Sequence, residues 1–147
     1  MPFAVNAFSR RFAERLIAAH PAWSTLVQPD PHGFPAPGSL LVVVPSPVAH
    51  RELLIQTAGD QVTVAFGADG WHEHFGPEEH GGEEPAISAA LRVVADLLAD
   101  RKVVVTRYLF GRRLWSRAVD ATSVRAPRLG ATRVTSWSGA GDATLTR

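Results

Sequence analysis

The 147-residue sequence predicts a single α+β domain: an antiparallel sheet of about five to six strands with two amphipathic helices packed on one face. Three observations carry that prediction. Two segments, near residues 8–19 and 87–98, place apolar residues at helical spacing. Short β-branched runs are joined by links of hairpin length, which require antiparallel neighbours. The composition is globular, 46% hydrophobic and 20% charged, so a chain of this length can bury a core unaided.

The first helix is read over residues 4–20. Phe8, Phe12, Leu16 and Ala19 form its apolar stripe, Arg10, Arg11, Glu14 and Arg15 surround it, Asn6 is the N-cap and Pro21 the stop. Residues 28–38, QPDPHGFPAPG, form a proline-rich loop. SLLVVVP (39–45) is a continuous apolar run, expected to be a strand covered on both faces. LLIQT (53–57) and QVTVAFG (61–67) follow as a hairpin around Ala58-Gly59-Asp60, with Val62, Val64 and Phe66 on one face.

The second helix begins near Pro85, behind the acidic pair Glu83 and Glu84 that suits the positive end of the helix dipole. Its predicted stripe is Ile87, Leu91, Val94 and Leu98, widened by Ala90, Val93 and Leu97. KVVVTRYLF (102–110) and RLWSRAV (113–119) read as a hairpin turning at Gly111-Arg112. ATRVTSW (131–137) is a last strand, and 139–147 a frayed tail.

Several function classes drop out. The chain has no cysteine, which removes disulfide scaffolds, cysteine nucleophiles and thiolate zinc sites. There is no Gly-x-Ser-x-Gly elbow and no glycine-rich phosphate loop. The N-terminus lacks the apolar core of a signal peptide, and the longest apolar run is too short to span a bilayer. The expectation is a cytoplasmic protein without membrane contact. Charge is uneven: residues 1–100 hold 5 Arg against 12 Asp/Glu, and residues 101–147 hold 10 Lys/Arg against 2 Asp. Either the two parts neutralise each other, or the basic part faces an acidic partner.

Two constellations remain. In Gly70-Trp71-His72-Glu73-His74-Phe75-Gly76, a strand would point His72 and His74 to one face. With His80 they could hold zinc or another divalent metal, with an open position for water in a hydrolytic site. The structural alternative is that Trp71 and Phe75 anchor the strand in the core and leave the histidines on the rim of a binding surface. On the late hairpin, Arg107, Arg112, Arg113, Trp115 and Arg117 interleave cations with aromatics, as protein interfaces and single-stranded nucleic-acid sites do. A protein partner is the stronger of these two readings.

QVTVAFGADGWHEHFG, followed by ISAALRVVADLLADRK and VVVTRYLFGRRLWSRAV, resembles small bacterial proteins that carry a Trp-His-x-His-Phe strand, a helix and a hairpin. Such families look like the immunity proteins of bacterial toxin systems and related uncharacterised domains. The resemblance spans residues 53–119 and touches Trp71, His72, His74 and Phe75. It implies a non-enzymatic protein that neutralises a toxin or other partner by occlusion. A metal-binding domain or metal-dependent hydrolase built on the His-x-His pair is the alternative.

Overall fold

The computed structural model describes residues 4–31 and 38–147, so His32 and most of the proline-rich 28–38 loop lie outside the described residues. The fold is α+β, as expected, and its strands pair antiparallel. They divide, however, into two sheets of five and four strands where one was predicted. The chain falls into two compact units: Met1–Val44, Leu53–Ala65 and His72–Arg92 form the first, and Pro45–Glu52, Phe66–Trp71 and Val93–Arg147 the second.

The first sheet runs β1 (Gln28–Pro29), β2 (Leu40–Pro45), β3 (Glu52–Ala58), β4 (Gln61–Phe66), β5 (His72–Phe75), in sequence order. Leu40, Val42 and Val44 are buried, and so are Leu53, Ile55 and Thr57 on the next strand and Val62, Val64 and Phe66 on the third. Each strand therefore alternates at period two, with one buried face. Leu41 and Val43, expected to be fully covered, are only partly so.

Helix α1 (Ala7–Ala19) starts where predicted: the Asn6 side chain accepts a hydrogen bond from Ser9 N at 2.7 Å, and Pro21 follows its end. Phe8, Phe12 and Leu16 are buried. Ser9 is buried too, and its hydroxyl meets Thr57 Oγ1 at 2.6 Å, while Leu40 N donates to the same Thr57 oxygen at 2.9 Å. A polar residue on the helix's apolar face is thereby satisfied against the sheet. Arg15 donates to Glu84 at 2.6 Å, and Arg11 pairs with Glu83. These pairs join α1 to the first turn of α3 (Glu83–Leu98), which follows the single-turn α2 (Pro77–His80).

The buried stripe of α3 is Ile87, Ala90, Val94 and Leu97. Leu91 and Leu98 are only partly covered. The buried face is thus rotated slightly from the predicted one, centred on Ile87, Ala90, Val94 and Leu97 with Ala86 beside them.

The second sheet has the order β7-β6-β8-β9, from β6 (Lys102–Leu109), β7 (Arg112–Asp120), β8 (Ala131–Thr135) and β9 (Ala143–Thr146). One face carries a small core of Val103, Val105 and Val134, with Val119, Val124 and Leu145 against it. The predicted frayed tail is instead strand β9, paired to β8 from Ala131↔Thr146 to Val134↔Ala143. Its anchor is Asp142, whose carboxylate accepts from Ser136 N at 2.8 Å and from Arg51 at 2.8 and 3.1 Å. The predicted Gly111-Arg112 turn sits one residue earlier, at Phe110-Gly111, and Arg112 already belongs to β7.

Candidate functional site

The histidine stretch resolves into a buried pair and an exposed pair. Trp71 and Phe75 are 5% and 2% exposed, so neither can contribute to a docking surface as the folded chain stands. His72 and His74 are exposed on β5, and their ring centroids lie 5.1 Å apart. Pairing with β4 places Thr63 opposite His74, and His74 Nδ1 meets Thr63 Oγ1 at 2.8 Å. His80 is held elsewhere, with Nδ1 donating to Gly76 O at 3.1 Å and the ring 5.5 Å from that of Phe75. Among the described residues, no group of three or more His, Cys, Asp or Glu side chains is arranged to hold a metal ion. The structure thus brings together His72 and His74 and does not add His80 to them as a third ligand.

The second constellation lies on the β6–β7 hairpin. Register pairs Val105 with Arg117, Arg107 with Trp115 and Tyr108 with Arg113, so Leu114 is the extra residue of a β-bulge. The guanidinium of Arg117 lies 4.8 Å from the Trp115 ring centroid, a cation–π contact between neighbours on one face. Arg107 has a different task from the predicted one: it donates to the carbonyls of Tyr108, Leu129 and Ala131, tying the 129–131 segment to β6. Arg113 likewise donates to the backbone carbonyl of Asp69. Arg112 and Arg117 are exposed.

All four large hydrophobic side chains that stand exposed among the described residues belong to this hairpin or its flank: Phe110 (88%), Leu129 (58%), Leu114 (54%) and Trp115 (38%). Phe110 also has φ +48°, beside Gly111 at +72°. Two consecutive left-handed residues make a tight hairpin turn that matches strand twist, a geometry that favours Asn-Gly. A phenylalanine there meets both a backbone penalty and exposure to water.

On the opposite face, Asp69 binds the hairpin close to its turn. Tyr108 donates to Asp69 Oδ1 at 2.6 Å, and Arg133 reaches the same oxygen at 3.0 Å. Arg133 also lies 5.2 Å from the Tyr108 ring centroid. The hydrogen bond to Asp69 raises the Tyr108 pKa above its usual value; burial and the carboxylate charge push the same way, against Arg133 and Arg113. Beside this cluster opens a cleft of about 440 Å³ lined by Tyr108, Phe110, Gly130, Ala131, Arg133 and Thr144. A second groove of about 250 Å³, on the face of Trp115, is lined by Val105, Trp115, Val119, Val124 and Arg125.

No family model, curated protein or solved structure matches this chain.

Sequence reasoning missed Asp69, Phe110, Leu129 and Arg133. The available signal for Phe110 was its place directly before Gly111, although the sequence reading puts Phe110 at the end of the strand and not in the turn. Asp69 carried none, because its partners lie 39 to 64 residues away in sequence.

Proposed function

We propose that this chain is a non-enzymatic protein-binding module of the immunity type, which occludes a partner through the β6–β7 hairpin and its flank. One observation carries the reading. The exposed large hydrophobics all fall on the β6–β7 hairpin or the segment flanking it, with Phe110 held at a turn position that favours a small polar residue. Local strain and solvent-exposed aromatic area each cost free energy, and docking against a partner would recover the second. Arg112 and Arg117 border the set and would steer an acidic partner toward it. The buried positions of Trp71 and Phe75 weigh against a docking surface centred on the histidine strand.

The test is a photo-crosslinking amino acid placed at Phe110 or Leu129, and separately at His72, in cells of the native host. The expected result is one crosslinked protein from positions 110 and 129, with none from 72. The same partner from position 72 alone would move the surface to β5. If the partner is toxic, co-production with this chain relieves toxicity, and Phe110→Asn weakens that relief.

A further inference from the structure

The hairpin has a second exposed resource besides its side chains. Strand β7 is terminal in the order β7-β6-β8-β9, so among the described residues one of its edges pairs with β6 and the other with no strand. It is nine residues long, and six of its residues are exposed. Sheet edges of this length are ordinarily blunted, because their unpaired N–H and C=O groups accept any extended chain. The blunting here is partial. A bulge at Leu114 interrupts one end, but Trp115–Asp120 pairs in unbroken register with β6 from Arg107 to Lys102. That regular stretch of six residues is roughly 20 Å of edge.

Charge selects what such an edge accepts. β7 carries Arg112, Arg113 and Arg117 against the single acid Asp120, which Lys102 already engages at 3.1 Å. Arg125 and Arg128, on the following segment, are exposed as well. A second copy of the chain would bring the same cationic strand against itself, and like charges across a strand pair are destabilising. A strand of alternating acidic and apolar residues would place its carboxylates on the face that Trp115, Arg117 and Val119 share, beside Arg117, and its apolar side chains beside Ser116 and Ala118 on the other. Single-stranded nucleic acid would satisfy the arginines and stack on Trp115, yet would leave the backbone edge unpaired by any strand.

We propose that the free edge of β7 takes an extended acidic peptide segment by strand addition, with main-chain hydrogen bonds supplying affinity and Trp115 and Arg117 supplying selectivity. This rests on the docking reading for its location and deepens it by naming the partner's chemistry and mode of attachment.

The experiment uses the full chain and three fluorescent probes at low salt, read by polarisation. The first is the acetylated, amidated octapeptide of alternating Glu and Val. The second is its fully N-methylated counterpart, which keeps every carboxylate and loses every backbone donor. The third is an eight-nucleotide oligothymidylate. Hydrogen exchange is followed with the octapeptide present. The octapeptide is expected to bind at least tenfold tighter than the other two, and to slow exchange at alternate amides between Trp115 and Asp120. Arg117→Glu should weaken it at least tenfold, and Arg117→Gln, which removes the charge alone, serves if that variant fails to fold. Equal binding of the methylated peptide, tighter binding of the oligothymidylate, or no octapeptide binding would each overturn strand addition. If crosslinking through position 110 survives that result, the docking surface stands and the edge pairing alone falls. If it fails too, both readings fall.

Discussion

Phe110 shows most directly how one side chain can serve something other than stability. At φ +48° its β-carbon crowds the backbone, and the residue is 88% exposed. Phe110→Asn is therefore expected to stabilise the fold by about 0.5–1 kcal/mol in denaturant melts while weakening crosslinking from position 129. A loss of stability would remove the argument from strain. Tyr108 offers a second residue-level test, since it is the chain's single tyrosine and its phenolate absorbance can be titrated without interference. Its midpoint should lie above the ordinary 10.0, and Asp69→Ala should bring it back down. Because the folded-state pKa is raised, the stability from this contact is fully present below about pH 10 and is lost as pH rises through the folded value.

At the scale of elements, two short polar contacts hold structure that hydrophobic pattern alone would leave loose. Thr57 Oγ1 serves both Ser9 on α1 and the backbone N–H of Leu40 on β2. Thr57→Val keeps the shape and strands both partners, so it should cost about 1–3 kcal/mol by chemical denaturation. Asp142 does the corresponding work for β9. Burial alone would raise its pKa, but the Arg51 guanidinium and the Ser136 N–H and hydroxyl outweigh that and hold it below its ordinary value. The stability from a lowered carboxylate is present above the unfolded pKa, near 4, and is lost as pH falls through the folded value. Asp142→Asn should flatten that acid limb of the stability curve, and should speed hydrogen exchange in Ala143–Thr146 ahead of the rest of the second sheet.

For the molecule as a whole, the decisive quantity is where charge remains after pairing. The second unit holds 11 Lys/Arg against 6 Asp/Glu by sequence. Asp69, Asp96, Asp120 and Asp142 each engage a cation. The positive excess therefore falls on the hairpin and the segment after it. Association with the partner is expected to slow steeply between low and physiological salt, with dissociation changing much less; stopped-flow rates at two ionic strengths check this. A dissociation rate that carries the whole salt effect would argue against electrostatic steering.

Local elements were legible in the residues because their causes are local. The Asn6 cap, the alternation of Val62, Val64 and Phe66, and the acidic start of α3 depend on neighbours within a turn or a strand. Trp71 and Phe75 are buried, as one of the two readings of the histidine stretch expected. What lay beyond the sequence depends on partners far along the chain. The division of strands into two sheets is one case. The rescue of 143–146 as a strand through Arg51, 91 residues away from Asp142, is another. Arg107, chosen from sequence as a binding residue, is engaged by three backbone carbonyls, because only the fold decides which guanidinium finds acceptors. Hydrophobic period and capping chemistry are written into short windows; ion pairs, sheet edges and solvent exposure exist only once distant segments meet.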